Sequence, residues 1–265
     1  SQARDPRAPS ISEDEKATLR DAVIAAVCSS SIEGDMALQL ALITAKIARF
    51  DFPRRWPALL PALAAGLQSS EEIVVFHSVR CLHYVLKERT TKQLMRDRLD
   101  FIDSVTPQIL GPLAQMWSAR SAAAITAATP QAIAGMPFVL SQLLDKCMLT
   151  LLCHGFRPGK ITPEDSPTAA EILPALVEKS ESMYAALSAG CRAAAPSFHS
   201  LLKGLGRLQG AQPKALLLTP PGRPCALLSS VLQLALQVLT HGRQPGDSEE
   251  DPQGRPPFKS STPAA

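Results

Sequence analysis

Aromatic residues are scarce in this chain: Phe, Tyr and Trp make up 5% of its 265 residues. It also holds no convincing alternation of period two bounded by turns, which argues against a β domain. No apolar run reaches the roughly 18–20 residues that a membrane span needs. The longest candidates, around Leu140–Cys153 and Leu227–Leu239, are interrupted by Gln, Asp, Lys or Ser, so no membrane insertion is expected. The N-terminus, Ser1 to Pro6, has no charged stretch leading into an apolar core and so does not read as a signal peptide. It lacks a starting Met, and the expectation is a fragment or a processed piece. Cysteines are few, and none form a CxxC pair. Cys28, Cys81, Cys147, Cys153, Cys191 and Cys225 lie mostly in apolar stretches and read as reduced core residues of an intracellular protein.

The usual signatures of catalysis are missing too. There is no GxxxxGK[ST] phosphate loop, GxGxxG fingerprint, HExxH helix or Cys/His set at zinc spacing. No cofactor or metal is expected. His77 and Cys81 are four apart, but His83 falls on another helical face, so these read as core or surface residues. Cys153 and His154 are adjacent, and neighbours on a helix point about 100° apart, which does not suit a nucleophile and its base. The sequence predicts a protein that is not an enzyme.

What the chain does contain is Ala and Leu, within a 46% hydrophobic total, and this favours helix. Net charge is only +3. One basic cluster stands out: Arg80, Lys87, Arg89, Lys92, Arg96 and Arg98, against Glu88 and Asp97. It reads either as a solvated helix end or as a patch for an acidic partner. Nucleic acid is a weaker reading, because no exposed aromatics interleave with the charges for stacking.

The chain is organised around Ile47 to Leu63. Upstream, Met36, Leu40, Ile43, Ile47 and Phe50 recur at helical steps and predict one buried face. Pro53 stops that helix and biases Phe52 away from helical angles. Asp51 is placed to cap the helix that follows, and Pro57 suits its first turn. Trp56, Leu60, Leu63 and Leu67 supply a second apolar stripe. Asp51, Pro53, Trp56 and Pro57 thus form a structural corner, and the two flanking helices are expected to make a hairpin that needs neighbours on both sides. Trp56 and Trp117 read as packing anchors rather than partner hot spots.

Elsewhere the signals are as follows. Residues 1–11 are expected to be frayed. Ser12 and Glu15 form a capping box at the head of a helix whose buried face is Leu19, Val23, Ala26 and Val27. Glu71-Glu72 opens a helix with the stripe Val75, Val79, Leu82 and Leu86. The next carries Leu94, Phe101, Val105, Ile109, Leu113 and Trp117, with a kink or split expected at Pro107 and Pro112. Residues 118–130 read as a loop. A helix follows from Ile133 to Cys153, with Pro137 as a bend or its true start and Gly155 as its C-cap. Thr162 or Thr168 is placed to cap the next helix, which bears Ile172, Leu176 and Met183. Phe198, Leu201, Leu205 and Leu208 suggest another despite Gly204 and Gly206. Leu227 to Leu239 makes the last, and residues 243–265 read as a disordered tail.

Helix starts therefore fall near residues 12, 36, 55, 71, 94, 131, 169, 197 and 225. Taken in pairs they give a unit of roughly 40 residues, the period of a HEAT or armadillo array. The predicted fold is all-α, a right-handed α-α superhelix, over residues 12–242 and best defined over 12–160. Ile11–Arg20, Ile47–Pro61, Leu94–Arg98 with Trp117, and Leu149–Phe156 resemble the N-terminal part of importin-β (karyopherin) nuclear transport receptors. The resemblance covers residues 11–160 and fades towards 240. It implies a monomeric receptor fragment that binds the GTP form of the small GTPase Ran, protein cargo and nuclear pore proteins, and that shuttles between nucleus and cytoplasm through the pore at the nuclear envelope. It places Ran on the second (B) helices of the early repeats, 12–28, 55–68 and part of 94–117. No single contact residue transfers. A HEAT scaffold outside transport, or a relative without Ran affinity, is the alternative.

Overall fold

The computed structural model describes residues 11–91, 95–126, 136–191, 194–215 and 236. All regular elements among them are helical. They are α1 (Glu13–Val27), α2 (Gly34–Asp51), α3 (Leu59–Leu67), α4 (Glu72–Thr90), α5 (Met95–Asp100), α6 (Thr106–Thr126), α7 (Met136–His154), α8 (Pro167–Ser188) and α9 (Ala195–Ala211). The fold is all-α, as the composition predicts.

Helix contacts fall into a ladder. Four hairpins form the rungs: α1 with α2, α3 with α4, α6 with α7, and α8 with α9. The leading helices α1, α3, α6 and α8 pack side by side in that order, and so do the trailing helices α2, α4, α7 and α9. One lesser diagonal, α1 with α4, completes the main contacts. Each hairpin thus touches its neighbours and little else, and the core is a slab between two rows.

This corrects the role of the corner. Helices α2 and α3 are consecutive but make at most glancing contact. The corner therefore links one hairpin to the next and is not the tip of a hairpin. Asp51 does not cap α3 either. Its carboxylate accepts from the Arg20 guanidinium of α1 at 2.7 Å, in a largely buried ion pair. The turn is held instead by the Asp51 carbonyl, which accepts from the amides of Arg55 at 2.7 Å and Trp56 at 3.2 Å. The Phe52-Pro53 peptide is cis. Helix α3 starts only at Leu59, so Pro57 lies before it, and Pro61 is the proline that occupies its first turn. Trp56, Leu59, Leu60, Leu63 and Leu67 are all buried there.

Two predicted faces are rotated. In α1 the Ser12–Glu15 capping box forms, but Leu19 is exposed while Arg20, Val23, Ile24 and Val27 are buried. In α2 the buried face is small: Ala37, Ala41, Thr44, Ala45 and Ala48. Small side chains let α2 lie close against α1 and α4. The larger residues Met36, Ile43 and Phe50 point outward, 57%, 48% and 81% exposed, while Leu40 and Ile47 sit at the core margin. The stripe read from the sequence is real, but it lies on the open side of the first hairpin.

The proline-bearing helix neither splits nor stops. α5 runs into α6 through a π-helical turn, Phe101–Val105, in which the Thr106 amide reaches back to the Phe101 carbonyl. The wider turn sits just before Pro107, which has no amide to donate. Phe101, Val105, Ile109, Leu113 and Trp117 stay on one buried face through it. α6 then continues to Thr126, so residues 118–126 are helix and not loop. The alanines there outweigh the Ser and Thr on which the loop reading rested.

Helix α7 is central, packed on α4, α6 and α9. By length and composition alone it is apolar enough to cross a membrane, but 61% of that stretch is buried inside the fold. It also carries Asp145, so here it is a core helix. Pro137 stands in its first turn. Neither Thr162 nor Thr168 caps α8. Its N-cap is Ser166, with Pro167 at the first helical position, and the Thr162 hydroxyl instead accepts from the Asp165 amide in the preceding turn. α9 forms despite its glycines, and Gly204 lies close against α7: a Cβ there would press on the Leu149 side chain, which would have to shift. The predicted helix at 227–239 lies outside the described residues except Leu236, which is helical and exposed. The tail, 243–265, and residues 1–10 of the expected frayed segment also lie outside them.

Candidate protein-interaction faces

The three stretches 12–28, 55–68 and 94–117 fall together in the leading row, as α1, α3 and the α5–α6 helix. In chain order they are the first helix of each hairpin, and the second helices are α2, α4, α7 and α9. Both tryptophans are buried, Trp56 at 2% and Trp117 at 3% exposure, in keeping with packing anchors.

Trp117 anchors a polar knot between three helices. Its indole N–H donates to Asp145 Oδ1 at 2.7 Å. Lys179 of α8 donates to the same oxygen at 2.7 Å, to Ser141 Oγ at 2.8 Å and to Ser121 Oγ at 3.2 Å. All three ammonium protons are thus satisfied in a buried place. Burial pushes the Asp145 carboxyl up from its usual range, while Lys179 and Trp117 act against that rise. The knot fixes α6, α7 and α8 to each other, and it is closed to solvent.

The basic cluster read from the sequence is dispersed. Arg80 donates to the Gly34 carbonyl at 2.9 Å and lies over the Phe76 ring at 4.3 Å. Arg89 is buried and donates to the Arg49 carbonyl at 3.3 Å. Glu88 accepts from Lys46 at 2.5 Å and Arg49 at 3.3 Å, which ties α4 to α2. Lys92 and the side chain of Arg96 lie outside the described residues.

A different basic constellation takes its place. A groove of about 540 Å³ opens on the trailing row, across α4, α7 and α9. α4 contributes His83, Lys87 and Thr90, with Thr91 at its C-cap; α7 contributes Lys146, Leu149, Thr150, Cys153 and His154; α9 contributes Ser200, Lys203, Gly204 and Arg207. Four cations and two imidazoles line it, and no carboxylate does. Burial, followed by the Lys146 and Lys87 charges, lowers the His83 imidazole to about 4. Burial, followed by Arg98 and Arg207, also lowers His154. Both rings are therefore neutral at neutral pH. Burial raises the Cys153 thiol to about 11, so it is not an activated nucleophile beside His154. Cys81 and Cys147 are buried, and burial pushes their thiols up as well. His77 is buried on α4, apart from the groove. No metal-holding group of His, Cys, Asp or Glu occurs among the described residues.

Sequence reading missed this groove because its cations are spread over residues 87–207 and meet only through the ladder. The i, i+4 pairs His83/Lys87 and Lys146/Thr150, with Lys203/Arg207, were the available signal.

No family model matches the chain, and no solved structure matches it significantly. Importin-11 of Mus musculus is 33% identical over 93 residues, 35% of this chain and 9% of that protein. Importin-11 of Homo sapiens is 33% identical over the same extent. The importin beta-like protein kap113 of Schizosaccharomyces pombe is 32% identical over 82 residues, 29% of this chain and 8% of that protein. The chain thus spans about a tenth of the length of the relatives it matches. Over about a third of its own length it is related to proteins of the importin-β family.

Proposed function

We propose that the four hairpins are consecutive HEAT-type repeats of a right-handed superhelix, and that the chain is a piece of an importin-type nuclear transport receptor. The observation that carries this reading is the two-row ladder: hairpins that pack mainly on their neighbours offer two long faces to a partner. The partial identity to three importins supports it. On this reading the protein binds the GTP form of Ran and protein cargo on overlapping surface, so that one displaces the other, and it moves between cytoplasm and nucleus through contacts with pore proteins. It is a binding scaffold and not an enzyme. Acidic rims would suit Ran and basic cargo, but the groove of the trailing row is basic. The leading row, with Glu13, Asp14 and Glu15 at the head of α1, is the better face for them.

The test is capture of the 265-residue chain on immobilised Ran locked in its GTP form, beside the GDP form. Retention on the GTP form alone is expected. Absence of retention on the GTP form, or equal retention on both, overturns the Ran reading and leaves the second one: a HEAT scaffold without Ran affinity.

A further inference from the structure

We propose that the basic groove across α4, α7 and α9 is a docking site for an extended acidic segment of a partner protein. The inference stands apart from the Ran reading, since it concerns the other row of helices and another chemistry.

The charge balance points to it first. Lys87, Lys146, Lys203 and Arg207 line one groove with no carboxylate among them, and none forms an ion pair with a described acidic residue. Elsewhere carboxylates on two of these helices do pair with cations of neighbouring helices, Glu88 of α4 with Lys46 and Arg49 of α2 and Asp145 of α7 with Lys179 of α8. These four cations, none of them in an ion pair among the described residues, meet in one groove. Their field is felt there, since it helps to hold His83 and His154 neutral. An anionic ligand would relieve that repulsion.

Shape decides which anion. The cations come from three successive helices of one row, and neighbouring helix axes lie about 8–10 Å apart. The groove thus crosses about 16–20 Å, which an extended chain covers in five or six residues at about 3.3 Å each. A single small anion would need donors converging on one point, and these are carried by three different helices. No Phe, Tyr or Trp lines the groove to stack a base, which disfavours a nucleic acid strand. Carboxylates at alternate positions of a peptide, with apolar contact to Leu149 on the floor, match what is present.

The test is fluorescence anisotropy of three labelled probes with the intact chain at low salt: a ten-residue Glu/Asp peptide, its Lys counterpart and a ten-nucleotide single-stranded RNA. The acidic peptide should bind and the Lys peptide should not, with affinity falling as salt rises. Lys146→Glu with Lys203→Glu should weaken the acidic peptide at least tenfold. The same reversal at Arg55 and Arg157, exposed and outside the groove, should change it less than twofold. Circular dichroism verifies the fold of each variant, and the milder Lys146→Gln with Lys203→Gln should weaken binding in the same direction. No binding of the acidic peptide, or equal loss in the two charge-reversed variants, overturns the proposal. RNA binding tighter than the peptide and lost with Lys146 and Lys203 also overturns it, in favour of a nucleic acid site.

Discussion

Two side chains show how single residues set the behaviour of this fold. Lys179 is buried on Asp145 with all its donors used. Lys179→Met would leave the carboxylate in an apolar place with Trp117 as its only strong donor. The expected loss is about 3–5 kcal/mol in urea unfolding. Lys179→Met with Asp145→Leu should regain most of it, because no lone charge then stays buried. His83 sets a pH dependence. Its folded value of about 4 lies below the usual 6.5, so the folded chain binds fewer protons in acid than the unfolded chain does. Its contribution is fully present above pH 6.5 and is lost as pH falls from 6.5 towards 4. Allowing for its partial exposure, the loss is on the order of 2 kcal/mol. His83→Gln should flatten stability against pH across that window. An unchanged slope would show that the ring is not held neutral.

At the scale of the helix, the sequence was read well where apolar spacing and end signals coincide. The stripe Val75, Val79, Leu82 and Leu86 is buried in α4, and helix starts expected near 12, 71 and 197 are found at 13, 72 and 195. Errors came where packing overrides local preference. Alanines, not Met36, Ile43 and Phe50, face the neighbours of α2, because close approach stabilises more than bulk there. Asp51 was read as a cap from its place before a proline turn, yet Arg20, far off in sequence, claims its carboxylate. The basic groove was illegible for the same reason, since its members lie on three helices. The exposed α2 stripe leads to a prediction: Ile43→Gln with Phe50→Gln should alter urea unfolding by less than about 1 kcal/mol. A loss of several kcal/mol would place those residues in the core instead.

For the whole molecule, the ladder explains why local signals carried so far. Each hairpin answers only to its neighbours, so helical period and spacing nearly suffice to set the architecture. They do not set which helices pair, and the corner at Asp51, Pro53, Trp56 and Pro57 was read as the tip of a hairpin for that reason. The pairing decides which helices share a face, and hence which surface a partner meets. The most direct test is the distance between the ends of the trailing row. Spin labels attached through unnatural residues at exposed Gln39 of α2 and Gln209 of α9 would be measured by double electron–electron resonance. Three steps between neighbouring helices place those backbones about 24–30 Å apart. A single narrow distance in that range, lengthened only by the label linkers, is the predicted result. A separation near 10 Å, as in a bundle closed on itself, would contradict the two-row ladder and the interaction faces derived from it.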